Sequence, residues 1–122
     1  VTEMITDEVI VILALLAIKH FLIDFVFQTN EQVKQKGVYG NLVGITHSFQ
    51  HGVGTIIVFL IYLNFWFSLI FAIFDSLIHY HIDWIKSKFG EKDITKKSFW
   101  IWFGGDQLLH WMTYIWFIWI LL

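Results

Sequence analysis

The chain has 122 residues, 57% of them hydrophobic and 20% aromatic, and a mean hydropathy of +0.67, which sets it apart from soluble globular domains of similar length. A net charge of −2 and the lack of any arginine argue against nucleic acid as a partner. The lack of cysteine excludes disulfides and thiolate metal sites, which leaves imidazole and carboxylate as the strong ligands.

Four apolar stretches, roughly 7–29, 41–63, 65–88 and 98–122, predict an all-α integral membrane bundle of four transmembrane helices, up-down-up-down, in a single domain over 1–122. Each is long enough to cross a hydrocarbon core of ~30 Å at ~1.5 Å per residue. The first stretch follows the acidic residues Glu3, Asp7 and Glu8, without the basic start of a cleavable signal peptide. It carries Lys19, placed to snorkel or to pair with a carboxylate, then His20, Asp24 and Gln28. The connection around Gly37 to Gly40 is polar. The second stretch holds His47 and His51, with Gly44 and Gly52 suited to helix packing. The link at Leu63-Asn64-Phe65 is so short that spans two and three form an antiparallel hairpin. Span three carries Asp75, His79 and Asp83, with His81 off that face. After a charged loop from Gly90 to Lys97, span four carries Gly104-Gly105, read as a close helix approach or a bend, then Asp106, Gln107 and His110. Its tryptophans suit an interfacial belt.

Seven of the eight lysines lie in or beside the two longer connections. The positive-inside rule then places those connections in the cytoplasm and both termini outside the inner membrane. In this topology all four polar stripes fall in the cytoplasmic half. Asp24, His47, His79 and Asp106 come out ~7–12 Å deep, and His20, His51, Asp75 and His110 ~13–18 Å deep, at ~1.5 Å per residue. Asp83 sits nearer the mouth.

Residues four apart share a helical face, and ionisable groups inside a bilayer turn inward and pair. The eight side chains His20, Asp24, His47, His51, Asp75, His79, Asp106 and His110 therefore read as ligands of one or two divalent transition-metal ions. Zinc is favoured, with manganese or iron as alternatives, and Asp24, Asp75 or Asp106 would bridge two ions. Asp83 is the candidate catalytic base, or a carboxylate that orients His79. The alternative for each pair alone is a hydrogen bond that ties two helices together.

His20-Phe-Leu-Ile-Asp24-Phe-Val-Phe-Gln28, His47-x3-His51, His79-x3-Asp83-Trp-Ile-Lys86 and Asp106-Gln107-x2-His110 resemble a family of small bacterial and phage membrane proteins of unknown function. Thr46-His47-Ser48 and His79-x3-Asp83 more remotely resemble the membrane-bound metal-dependent hydrolases. That second resemblance implies a metal-dependent hydrolase acting on lipid-like esters or phosphoesters at the cytoplasmic leaflet. The sequence also supports two other functions: a metal or proton conduit, and an accessory subunit stapled by its ion. The polar residues stop about halfway across; beyond them only Thr55, Ser68 and Thr113 are polar, which favours a closed pocket. Membrane lipids are the expected partners, and the oligomeric state, homo-oligomers included, is left open.

Overall fold

The computed structural model describes residues 5–122; Glu3 lies outside them. These residues form five α-helices: α1 (Thr6–Phe21), α2 (Asn30–Gln35), α3 (Leu42–Phe59), α4 (Phe65–Phe89) and α5 (Lys97–Leu121). The first apolar stretch is not one helix to residue 29. A π-helical turn, Leu22–Val26, follows α1 directly, and the Phe27 N–H reaches back five residues to the Leu22 carbonyl at 2.7 Å. The chain then leaves helical geometry.

The short helix α2 departs from the expected polar connection. Its start is fixed by a reciprocal cap. The Gln32 N–H donates to Thr29 Oγ1 at 3.1 Å, and the Thr29 N–H donates to Gln32 Oε1 at 3.2 Å. Gly40 takes a positive φ of 83° in the turn that follows, a conformation glycine adopts without strain. Its N–H donates to Tyr80 Oη, which ties this turn to α4. Asn41 and Asn64 then cap α3 and α4 through Val43 and Phe67 N–H groups, at 2.9 and 3.0 Å.

α3 and α4 form the expected hairpin, joined through residues 60–64. A methyl group at Gly52 would lie 2.1 Å from Ser76 Oγ and 3.2 Å from the Ala72 carbonyl, so this glycine sets how closely the two helices approach. Gly104 and Gly105 do the opposite. Nothing lies within 4 Å of a methyl group built at either, so close helix packing does not explain them.

The bundle is polar inside and apolar outside. Among the described residues, 16 polar or charged side chains are buried against ten hydrophobic ones, while Leu42, Trp66 and Trp119 are at least 70% exposed. The hydrophobic cluster occupies one end only: Ile12 and Leu16 of α1, Val58 and Phe59 of α3, Phe71 of α4, and Tyr114, Phe117, Ile118 and Leu121 of α5. Phe59 stacks on Phe71 with ring centroids 4.7 Å apart, and Phe117 closes on Phe71 at 5.1 Å. Most of the buried polar residues fill the other end, on the side of the lysine-rich connections, while Ser68 is buried at the hydrophobic end.

Among the described residues, three stretches are long and apolar enough to cross a membrane: Thr6–Val26, Leu42–Phe59 and Phe65–Phe89. This supports a membrane protein but narrows the expectation of four spans. α5 matches α4 at 25 residues, yet does not qualify by composition. Its indoles and the run Gly104-Gly105-Asp106-Gln107 lower its hydropathy.

Candidate metal centre

The π turn, α3 and α4 bring four side chains to one point. One ligand atom each from Asp24, His47, His51 and His79 lies within 4.8 Å of the others, and all four residues are buried. Asp24 Oδ1 is 2.7 Å from His51 Nε2, 3.0 Å from His47 Nε2 and 3.5 Å from His79 Nε2. A second group, His79, Asp83 and His110, meets the same 4.8 Å limit and shares His79 with the first. Asp83 Oδ2 is 3.1 Å from His79 Nε2 and 3.4 Å from His47 Nε2, and its Oδ1 is 3.1 Å from His110 Nε2. Asp106 Oδ1 follows at 3.4 Å from His110 Nε2.

The expected stack of two rings thus becomes two overlapping clusters. Asp83 is not a peripheral charge at the mouth. It is 2% exposed and central to the second cluster. Lys36, just past α2, lies 3.5 Å from it and donates to Gln28 Oε1 at 3.0 Å.

Three imidazoles stack in series. His79 lies 3.6 Å from His51 and 4.0 Å from His110, centroid to centroid. Asp83 Oδ2 is close to His79 Nε2 but out of line with it, so neither ring nitrogen of His79 makes a hydrogen bond among the described residues, and His47 Nδ1 and Asp106 Oδ1 share that lack. Buried polar atoms left unpaired cost about 1–3 kcal/mol each, so this point in the bundle asks for a further partner. A divalent cation fits. Ligand atoms around a tetrahedral ion with ~2.0–2.1 Å bonds stand ~3.3 Å apart, and the separations from Asp24 Oδ1 run from 2.7 to 3.5 Å. The donors are imidazole and carboxylate, a set suited to zinc, manganese or iron.

His20 and Asp75 stand apart from the two groups. His20 Nε2 is 3.2 Å from Asp24 Oδ2, but its ring is already engaged, with Nε2 at 2.9 Å from Gln107 Oε1 and Nδ1 at 3.1 Å from Tyr114 Oη. Gln107 passes the chain on, donating to Asp106 Oδ2 at 3.0 Å. Asp75 belongs to a deeper layer that sequence reasoning did not assemble. Lys19 Nζ donates to Asp75 Oδ2 and to Tyr114 Oη, both at 2.9 Å, and lies 3.1 Å from His51 Nδ1. Thr55 donates its hydroxyl to the same Asp75 oxygen. Lys19 therefore pairs with a carboxylate and does not snorkel. It lies across Gly54, where a methyl group would come within 2.5 Å of its Cγ. His81 is exposed and sits outside the cluster, 3.0 Å from Tyr39 Oη.

The signals for Lys36 and Tyr114 were present but weak. The Thr29-x-x-Gln32 cap marks the short helix that carries Lys36 inward, and Tyr114 follows His110 by four residues on one face.

A helical membrane bundle whose interior gathers histidines and aspartates that could hold a metal is the class that fold and site define. The chain belongs to a family described as protein of unknown function, DUF3307, whose model matches residues 12–122. No curated protein and no solved structure matches it.

Proposed function

We propose that the protein is an inner-membrane, metal-dependent hydrolase of lipid-like esters or phosphoesters. In this reading α5 also crosses the membrane, making four spans, and the lysine-rich connections face the cytoplasm. The observation that carries it is the convergence of Asp24, His47, His51 and His79 on one buried point, with His79 left without a hydrogen bond there.

Asp24, His47, His51 and His79 would hold one ion, and His79, Asp83 and His110, with Asp106 nearby, a second. A divalent ion at this place supplies Lewis acidity and activates water for attack at neutral pH. The chain's own residues set the conditions around it. Lys36 lies against Asp83 and keeps a cation beside the carboxylate that would accept a proton. Lys19 lies 3.1 Å from His51 Nδ1, behind the ligand set, and the Tyr114–His20–Gln107–Asp106 chain fixes the far wall. The hydrophobic cluster at the opposite end excludes water from that side.

Conduction is the second reading, favoured by the deeper Lys19–Asp75–Thr55 layer, since chains of buried ionisable groups mark ion pathways. The Phe59–Phe71 stack, with Phe117 set edge-on against it, speaks for a closed end. Liposomes containing candidate phospholipids and an internal metal or pH indicator separate the two. The hydrolase should release lipid products without ion flux, and Asp83→Asn should lower turnover while the ion held by Asp24, His47, His51 and His79 stays bound. Flux without product, blocked by Ser68→Leu, would refute the hydrolase.

A further inference from the structure

Two cavities meet at the lysine-rich end. A cleft of about 570 Å³ lies between the π turn, α2, α4 and α5, and it is lined by Lys34, Lys36, Lys86 and Lys92 beside Phe25, Phe99 and Phe103. Its walls also include Asp24 and Asp106, so it opens directly onto the candidate metal centre. An apolar groove of about 440 Å³ runs between α4 and α5, lined by Ile82, Ile85, Ile101, Trp102, Leu108 and Leu109. Lys86 and Asp106 line both.

We infer that the cleft receives the phosphate headgroup of a lipid whose acyl chain lies in the α4–α5 groove. Charge is the first argument. The lysine ion pairs among the described residues are Lys19–Asp75, Lys36–Asp83 and Lys96–Glu91. Lys34, Lys86 and Lys92 are left without a carboxylate, and all three line the cleft. Of the three carboxylates there, Asp24 and Asp106 turn to histidines and Glu91 to Lys96. Lys92 already donates to the Ser87 carbonyl, which leaves the Lys34 and Lys86 ammonium groups for an anion, and lysines near a membrane surface attract anionic lipids.

Continuity is the second argument. A phosphate alone needs only the cleft. The groove adjoins it through Lys86 and is almost wholly apolar, as an acyl chain requires. Gly105 also lines the groove, and a methyl group there meets nothing within 4 Å, so the absent side chain leaves the channel open. The inference deepens the hydrolase reading and rests on it for the fate of the headgroup, which would sit beside Asp24 and Asp106.

The test measures equilibrium binding of radiolabelled dioleoylphosphatidic acid to the full chain in phosphatidylcholine nanodiscs, with metal content recorded on the same samples. Dioleoylglycerol and inorganic phosphate should compete far more weakly than unlabelled phosphatidic acid. Lys34→Gln and Lys86→Gln should each weaken binding about fivefold. Gly105→Leu should weaken phosphatidic acid binding by at least as much while metal content stays unchanged. Competition by inorganic phosphate as strong as by the lipid would overturn the inference, as would equal binding of dioleoylglycerol or an inert Gly105→Leu. Lipid binding by a protein without metal would uphold the inference and retire the hydrolase. Metal without lipid binding would overturn the inference and leave the metal centre standing.

Discussion

Replacing Lys19 with methionine tests whether the deep polar layer is one energetic unit. Lys19 is 6% exposed and Asp75 1% exposed. The substitution keeps most of the stem that packs on Gly54, but removes the cation and its contacts with Asp75, Tyr114 and His51. Breaking a buried pair from one side strands the other charge and costs about 3–5 kcal/mol. Asp75→Leu alone should cost a similar amount, because it strands Lys19. The double variant strands no charge. Its remaining cost is the Thr55 hydroxyl, which loses its acceptor, and the Tyr114 and His51 contacts, together about 1–3 kcal/mol. The singles sum to roughly 6–10 kcal/mol, so the expected coupling is roughly 3–9 kcal/mol. Reversible unfolding of the four proteins in mixed micelles, followed by far-ultraviolet circular dichroism, measures it. Additive losses would refute the pairing. A Lys19→Met variant within about 1 kcal/mol of wild type would show that the lysine head reaches the membrane surface after all.

Purified protein should carry one or two transition-metal ions per chain by elemental analysis. His47→Ala and Asp106→Ala should lower metal content and melting temperature together, since an ion that binds only the folded state stabilises it; His81→Ala should change neither. Metal-free protein of equal stability would end the metal reading. Gly52→Ala should destabilise by about 1–3 kcal/mol, because a methyl group has no room against Ser76 and Ala72; a neutral result would mean that α3 and α4 are less closely packed. Cysteines placed beside Lys36 and Lys92 should resist an impermeant thiol reagent in intact cells, while one at Asp7 reacts. The opposite labelling pattern would invert the topology.

The sequence made the apolar stretches and their inward histidines and aspartates readable, because helical spacing and the cost of charge in lipid act residue by residue. Depth alone put Asp24, His47 and His79 in one layer, but with Asp106, and it assigned His51, which joins them in the structure, to the deeper ring. What it hid depends on local geometry and on partners distant in the chain. The π turn leaves no compositional trace in Leu22–Val26, so the helix was extended through it. Lys36 looked like a loop lysine because its burial depends on α2 folding back toward Asp83. Asp75 sits at helical spacing from His79 and so joined the ligand set. Its nearest cation comes instead from Lys19, 56 residues earlier. The fourth span was drawn from length, whereas α5 carries indoles and a Gly-Gly-Asp-Gln run that length does not register.

The inverted polarity of the bundle bears on how it assembles. An aspartate at the centre of a lone helix costs roughly 2.5–3.5 kcal/mol to insert. α4 carries two, Asp75 and Asp83, beside His79. Its antiparallel neighbour α3 presents His47, His51 and Thr55 to those groups, so the hairpin brings its own solvation for α4 into the bilayer. Once inside, apolar surfaces give the helices little reason to prefer one neighbour over another, because lipid suits them equally well. The carboxylates and imidazoles supply that preference: α1 is recruited when Asp24 and Lys19 find His51 and Asp75, and α5 when His110 finds Asp83. The residues that make the site are thus also the ones that tell each helix where to dock.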